Sequence, residues 1–379
     1  MKQPMISLSS PHMGGKEMHY IQQTFDANWV APSGMNVDGL EADLTAFLDE
    51  EVHVAVLSSG TAALHLSLIM LGVEPGDYVI CQSLTFSASA NPIAYMGATP
   101  LFVDSEKETW NLCPDAVEEA ILYGIEQGKK PKAIIAVALY GMSYQVDEIR
   151  ALSEKYDIPV IEDSAEALGS TYKNQKCGTF GDFSVLSFNG NKIITTSGGG
   201  ALVLKDPAYK KQAVFLSTQA KDDAPHYEHT HIGYNYRMSN ICAGIGRGQM
   251  EVLADRVAQR RANNARYQKL FANQPHFTLH LEPNEDFFSN HWLSVVTVSE
   301  YSKLSADQIR LLAQEENIET RPIWKPMHLQ PVFAEAPYFG ANFAEQCFNT
   351  GLCLPSGSNL TAEDWERIER FFNKIFSLA

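Results

Sequence analysis

Residues 52–80 read VHVAVLSSGTAALHLSLIMLGVEPGDYVI, in which a short apolar run meets Ser58, Ser59 and Gly60 before a helical pattern that stops near Gly72. Such a run is a strand, a turn and a helix in succession. The chain then repeats the theme. Further apolar strands are expected at Pro100–Val103, Ala133–Leu139 and Pro159–Ile161, with helical patterns at Asp115–Glu126 and Val146–Tyr156 between them. Alternation of this kind predicts an α/β fold, a mostly parallel central sheet with helices on both faces. The region Ser184–Leu204 differs, because two strand-like runs flank NKIITTSGGG (191–200), whose glycines permit tight reversal and close backbone approach.

Upstream, residues 1–50 place two amphipathic stretches, Lys16–Phe25 and Val37–Leu48, among Gly14, Gly15 and Pro32, and read as an N-terminal arm. Past about Asn240 the character shifts to a long charged helix, roughly Gly248–Phe271, followed by strands at Phe277–Leu281 and Trp292–Val298. Helices near Ser305–Glu316 and Ala362–Phe376 bracket the remainder. A chain of 379 residues is too long for one small core. The expected division is 1–250 for the arm and a large α/β domain, and 251–379 for a small C-terminal α+β domain.

The composition, 45% hydrophobic and 20% charged, is that of an ordinary packed protein. A net charge of -16 argues against a general polyanion binder, so no nucleic-acid partner is expected. One or two phosphates can still be held locally by a few aimed N–H groups. Cys81, Cys113, Cys177, Cys242, Cys347 and Cys353 form no CxxC pair and no metal-ligand spacing with histidine. They read as reduced, packed thiols, and no metal site is expected. With no signal pattern at the N-terminus and no apolar run of about 18 residues, the expectation is a cytoplasmic protein with no membrane partner.

Three positions stand out chemically. Ser59, Gly60 and Thr61 sit where a strand enters a helix, so their N–H groups and the Thr61 hydroxyl can converge on a phosphate; an ordinary Ser/Thr helix cap looks the same. Asp163 closes the run IPVIED at the C-terminal edge of a buried strand, where open α/β sheets bind ligands. Capping of a following helix is its alternative, and Glu162 beside it faces the other side of the strand. Lys192 lies in the nearly uncharged stretch SFNGNKIITTSGGG. Desolvation there favours a Schiff base with an aldehyde, against the plain alternative of an exposed loop lysine. A phosphate cradle, a strand-end carboxylate and a desolvated lysine are together the three contacts that pyridoxal 5'-phosphate (PLP) requires.

With those residues in place, the chain resembles the fold-type I PLP-dependent aminotransferases of the DegT and StrS group, which act on nucleotide-linked sugars. The likeness is carried by SSGTAALHL, TFSASANPI, IEDSAEALGS, FGDFSVLSFNGNKIITTSGGG and GYNYRMSNICAGIG. It spans essentially the whole length. It implies that the large domain binds PLP, that Lys192 attaches the cofactor and shuttles the proton, and that Asp163 keeps the pyridine nitrogen protonated. It implies also that Phe86, otherwise read as core, stacks on the ring, and that Ser59, Gly60, Thr61 and Ser187 contact the phosphate. Asn235 in GYNYRM, alone merely a turn, would extend into a neighbouring subunit's phosphate site, which implies a homodimer with shared active sites. Arg237, His328 and Asn189 resemble positions near the sugar nucleotide; a surface arginine and a packed histidine are the alternatives for the first two. Many relatives have glutamine where this chain has Glu166, and an amide can donate to the cofactor's phenolic oxygen whereas an ionised carboxylate cannot. Either Glu166 is protonated or it serves another partner.

The resemblance implies ping-pong transfer, with glutamate donating its amino group, pyridoxamine 5'-phosphate as the intermediate form and a nucleotide-linked keto sugar as acceptor. The stretches LSSPHMGGKEMHYIQQTFDANWVAPSG and FNGNKIITTSGGG look most like bacillosamine-pathway enzymes, which aminate C4 of a UDP-linked 4-keto-6-deoxy-N-acetylglucosamine in bacterial glycan and protein glycosylation routes. GDP-4-keto-6-deoxymannose, the substrate of perosamine synthases, is the alternative. The lysine excludes related sugar dehydratases that carry histidine there. A lyase or desulfurase of similar fold would need an activated cysteine, and a non-catalytic regulatory protein would not need Lys192 and Asp163 together.

Overall fold

The computed structural model describes residues 3–48 and 51–379; residues 1, 2, 49 and 50 of the expected arm lie outside the described residues. Helices α1 (Glu17–Asp26) and α2 (Met35–Leu48) come first. Strands and helices then alternate as β1 (His53–Leu57), α3 (Gly60–Met70), β2 (Tyr78–Gln82), α4 (Ser87–Tyr95), β3 (Thr99–Val103), α5 (Pro114–Glu126), β4 (Ala133–Val137), α6 (Val146–Tyr156) and β5 (Val160–Asp163). A short hairpin, β6 (Thr171–Tyr172) and β7 (Gln175–Lys176), precedes β8 (Phe183–Ser187), β9 (Gly200–Leu204) and α7 (Pro207–Ser217).

The large sheet has the order β1-β9-β8-β5-β4-β2-β3, extended at its far edge by β14 (Tyr338–Phe339). Every neighbouring pair is parallel except those of β9, which runs against both β1 and β8. Its strands are apolar on both sides because both faces are covered. Along β4, Ala133, Ile135 and Val137 share a core with Leu64 and Leu66 of α3 and Ile93 of α4. Ile134 and Ala136 turn the other way, onto Val117 and Ile121 of α5 and Ile149 of α6. Val54 and Val56 of β1 pack instead against Val37, Leu40 and Leu44 of α2.

After α8 (Asn240–Met250) and α9 (Leu253–Phe271), a second sheet is assembled from β10 (Phe277–Leu279), β12 (Ser294–Val298), β15 (Gly351–Leu354) and β13 (Arg321–Pro322), in that order. The two-residue β11 (Phe287–Phe288) pairs with β6. Helices α9, α10 (Ala306–Glu315) and α12 (Ala362–Leu378) cover the second sheet through Tyr267, Phe271, Ile309, Trp365 and Phe372, while α11 (Phe343–Thr350) precedes β15. Capping boxes, Ser305 with Gln308 and Thr361 with Asp364, start α10 and α12. Ile6 joins this second core, its N–H donating to Asn317 O at 2.9 Å, so the arm is tied to the turn that follows α10.

Two expectations need correction. The single helix from Gly248 to Phe271 is two, broken at Glu251 and Val252. Packing imposes the break: α8 presses on α1 so closely that a Cβ at Gly248 would stand 2.7 Å from Glu17 N, which fixes the direction of α8 while α9 departs toward the second sheet. The strand expected over Ala133–Leu139 ends at Val137, because Leu139–Gly141 wind into a 3-10 turn in which Tyr140 adopts a left-handed backbone (φ 56°). No helix among the described residues is long and apolar enough to cross a membrane.

Candidate active site

The turn after β1, the end of β5 and the loop from β8 to β9 converge on a cavity of about 440 Å³. Ser59 is in extended backbone and its Oγ accepts Ala62 N–H at 3.0 Å, so the capping reading holds for that side chain. The N–H groups of the first turn of α3 have no acceptor inside the helix and point along its positive end. The Thr61 and Ser187 hydroxyls line the cavity and, among the described residues, have no hydrogen-bond partner. Gly200 lies opposite both Leu57 and Ser187. A Cβ there would overlap Gly60 N and stand 2.5 Å from the Ser59 carbonyl carbon, so glycine is required for β9 to lie against the turn.

On β5, Ile161 and Asp163 face the α3 side and Val160 and Glu162 the other, the period of a strand. Glu162 is consumed by structure, accepting Gly178 N–H at 2.6 Å, Phe180 N–H at 2.8 Å and the Ser164 and Ser184 hydroxyls. Asp163 is 5% exposed and lines the cavity. Its Oδ2 accepts the Ser89 hydroxyl at 2.7 Å and its Oδ1 accepts Ala165 N–H at 3.2 Å; residues 164–169 form turns, so there is no helix for it to cap. Burial pushes the Asp163 carboxyl above its usual range, with the Ser89 and Ala165 bonds and the Lys192 charge pulling it back. Ser89 was missed in the sequence: it stands in TFSASANPI, but nothing in that string shows that its hydroxyl reaches β5.

Lys192 is no exposed loop lysine, its side chain being 12% exposed. Its Nζ donates to Glu166 Oε1 at 3.2 Å and sits 4.3 Å from the centre of the Trp292 ring. The other Glu166 oxygen accepts Tyr140 N–H at 2.7 Å, which the left-handed Tyr140 backbone delivers. Glu166 therefore serves partners of its own in this chain. Its carboxyl is pushed upward by burial, against the opposing Lys192 charge and Tyr140 bond. Asn290 holds the turn from below, its Nδ2 donating to the Glu166 and Leu168 carbonyls at 2.9 Å each.

A family model described as the DegT/DnrJ/EryC1/StrS aminotransferase family matches residues 11–372. The chain belongs to that family. EpsN of Bacillus subtilis (strain 168), assigned as a pyridoxal phosphate-dependent aminotransferase, is 48% identical over 375 residues, covering 98% of this chain and 96% of that protein. A GDP-perosamine synthase of Escherichia coli O157:H7 is 36% identical over 375 residues, 98% of this chain and 99% of its own. Among solved structures, Spr1654 of Streptococcus pneumoniae, assigned as a sugar aminotransferase and held in its PLP form, superposes with a TM-score of 0.89 at 27% identity, covering 100% of this chain and 99% of that one.

The DegT/DnrJ/EryC1/StrS enzymes are PLP-dependent aminotransferases, and the cavity fits that cofactor. The unpartnered Thr61 hydroxyl at the start of α3 and that of Ser187 at the end of β8 suit a phosphate monoester, a buried carboxylate suits a ring cation, and Lys192 supplies the amine. Bound there, PLP supplies an electron sink for a carbanion. Phe86 is 60% exposed and lines the cavity, so it is not core, and Asn189 lines it too.

Three other expected residues are not brought to the cavity of their own chain. Arg237 is ion-paired with Glu41 at 2.7 Å and donates to Val56 O at 2.9 Å, so its guanidinium is spent bracing β1 against α2. His328 is the packed histidine, stacked 3.7 Å from Tyr338 and bonded to Ser83 Oγ at 2.7 Å and Glu345 at 3.1 Å. Asn235 is exposed and bridges Thr218. Burial pushes the Cys347 and Cys353 thiols up to about 12 and Cys81 upward as well, which disfavours the nucleophile a desulfurase needs.

Proposed function

We propose that this enzyme moves an amino group from an amino acid, L-glutamate by resemblance, to C4 of a UDP-linked 4-keto-6-deoxy-N-acetylhexosamine, in bacillosamine-type amino sugar and glycan biosynthesis in the cytoplasm. The observation that carries the reading is one cavity in which the Lys192 amine, the buried Asp163 carboxylate and the open turn at Gly60 and Thr61 face one another. In this reading Lys192 binds the cofactor and carries the proton at the substrate Cα, and Asp163 holds the proton on the ring nitrogen. Ser59, Gly60, Thr61 and Ser187 receive the phosphate and Phe86 covers the ring. Glu166 stands beside the lysine nitrogen, and Asn189 sits at the cavity wall where a sugar would enter.

The UDP-linked acceptor is supported by the likeness of residues 8–34 and 188–200 to bacillosamine-pathway enzymes. A second acceptor, GDP-4-keto-6-deoxymannose, is favoured by the 36% identity to a GDP-perosamine synthase. The working unit in this proposal is a homodimer, with Asn235 reaching the phosphate site of a second copy. Exposed Phe25, Trp29, Val30 and Met35 on the arm support a covering surface of that kind. The division into 1–250 and 251–379 belongs to the same proposal.

A half-reaction decides among the substrates. Enzyme loaded with pyridoxamine 5'-phosphate is offered each keto sugar nucleotide in turn, and the UDP-linked 4-keto sugar is expected to restore the absorbance of the pyridoxal form. Restoration by the GDP sugar alone selects the second acceptor, and restoration by no keto sugar sinks the proposal.

A further inference from the structure

Lys192 stands on neither a helix nor a strand. It ends a turn in which its own N–H donates to Asn189 O at 3.0 Å, and the tip of that turn is tied to distant elements through one atom. The Asn191 carbonyl oxygen accepts the Ser9 hydroxyl at 2.7 Å and the Trp292 indole N–H at 2.7 Å. These donors come from the N-terminal arm and from the bend just before β12, and a single side chain joins them. Arg260 of α9 donates through Nη2 to Ser9 Oγ at 2.9 Å, and through Nη1 to the Trp292 carbonyl at 2.6 Å and Ser356 O at 3.3 Å.

Arg260 is 1% exposed, and among the described residues no carboxylate pairs with it. A guanidinium buried on neutral oxygens alone carries a desolvation penalty that a packed apolar side chain would avoid. The Trp292 ring also lies beneath the Lys192 amine, 4.3 Å from its centre. We infer that Ser9, Trp292 and Arg260 form a clamp that aims the Lys192 amine into the cavity, and that they are positioning residues for it. A lysine side chain has many rotamers of similar energy, and a reacting atom displaced by about 1 Å can lose a hundredfold in rate. Fixing the carbonyl that precedes the lysine narrows that spread at its root. The inference rests on the reading of Lys192 as the residue that binds PLP.

The test follows the rate at which cofactor-stripped protein captures PLP, read as growth of the bound-cofactor absorbance, with thermal unfolding measured alongside. Either donor alone still restrains the Asn191 carbonyl, so Ser9→Ala and Trp292→Phe should each slow capture by only about threefold. The double variant should slow it by at least about fiftyfold, well beyond the roughly tenfold expected of independent effects. Ser9→Thr, which keeps a hydroxyl, should bring the rate back to within about twofold of the unaltered protein. A folded double variant whose loss equals the product of the singles overturns the clamp. Should Trp292→Phe not fold, Ser9→Ala against Ser9→Thr decides, and equal rates for those two overturn it as well. If the unaltered protein captures no PLP, the proposed function itself fails first, and the two failures are thereby told apart.

Discussion

Replacing Asp163 by asparagine should make the cofactor-free protein more stable and the enzyme far slower. The carboxylate is 5% exposed, accepts two hydrogen bonds, and faces a lysine whose amine is already bonded to Glu166 at 3.2 Å. Burial prevails over these compensations, which is why the Asp163 carboxyl is held above its usual range. Asparagine has nearly the same shape and keeps an acceptor for Ala165 N–H, and Ser89 can rotate its hydroxyl to accept from the new amide. Removing a buried charge while keeping most of its bonds should stabilise the fold by on the order of 1–2 kcal/mol. For a chain of 379 residues that is a rise of about 1–3 °C in Tm. The sign with pH follows from linkage. An acid whose folded-state affinity for protons is raised contributes stability that is present below its unfolded pKa and lost as pH climbs through the folded one. The parent loses that contribution and the variant does not, so the gap should be widest near about pH 8 and close toward about pH 4. Calorimetry of both stripped proteins across that range measures it. Turnover should fall at least about a hundredfold, because the ring nitrogen loses its counter-charge. A variant less stable than the parent at pH 8, or a gap indifferent to pH, refutes the electrostatic account; near-normal turnover removes Asp163 from the ring nitrogen.

Lys192→Ala should abolish turnover while leaving the circular dichroism spectrum unchanged, and sustained catalysis would exclude Lys192 as the covalent residue. Gly200→Ala places a Cβ against Gly60 N and the Ser59 carbonyl carbon, so β9 must shift from the turn; PLP affinity, titrated by absorbance, should weaken at least about tenfold, with about 1–3 kcal/mol lost in urea unfolding. Glu166→Gln keeps an acceptor for Tyr140 N–H and a polar neighbour for Lys192, so kcat should stay within about tenfold of the parent, and a loss beyond about a thousandfold would show that the charge itself is needed. Mixing Lys192→Ala with Asn235→Ala chains should recover activity that neither homodimer shows in full; no recovery would argue against active sites shared between copies.

Much of the layered fold was legible because a buried parallel strand leaves a short apolar run and its covering helix a longer periodic one, as at β4 and α6. What escaped was decided by partners far away in the chain. Nothing in the string around Glu251 predicts a break, since the cause is Gly248 lying against Glu17 N. Tyr338 and Phe339 pair with Phe102 and Val103 over only two residues, too few for any period to register. The site divides along the same line. Lys192 and Asp163 stand in distinctive local strings, whereas Trp292 is a lone tryptophan a hundred residues past the lysine it underlies, and only the folded chain brings them together. Arg237 and His328 resemble ligand residues by position, yet Glu41 and Tyr338 already occupy them here.

Because β9 runs against its neighbours, the segment carrying Lys192 leaves the sheet on β8 and re-enters beside it, and β9 is at once laddered to β1, with Gly200 facing both Ser187 and Leu57. Strand alignment thus sets both ends of the loop against the anion-receiving turn, and the contacts at Asn191 set the amine within that loop. A residue inserted within residues 200–204 would turn the inward side chains of β9 outward and break its match to both neighbours at once, whereas one added near Gly190 would leave the ladder intact and displace the turn that holds Lys192. Scanning single insertions across residues 187–204 would therefore separate loss of PLP capture in a folded protein, around residues 189–192, from loss of the fold itself, from the first rung of the ladder onward.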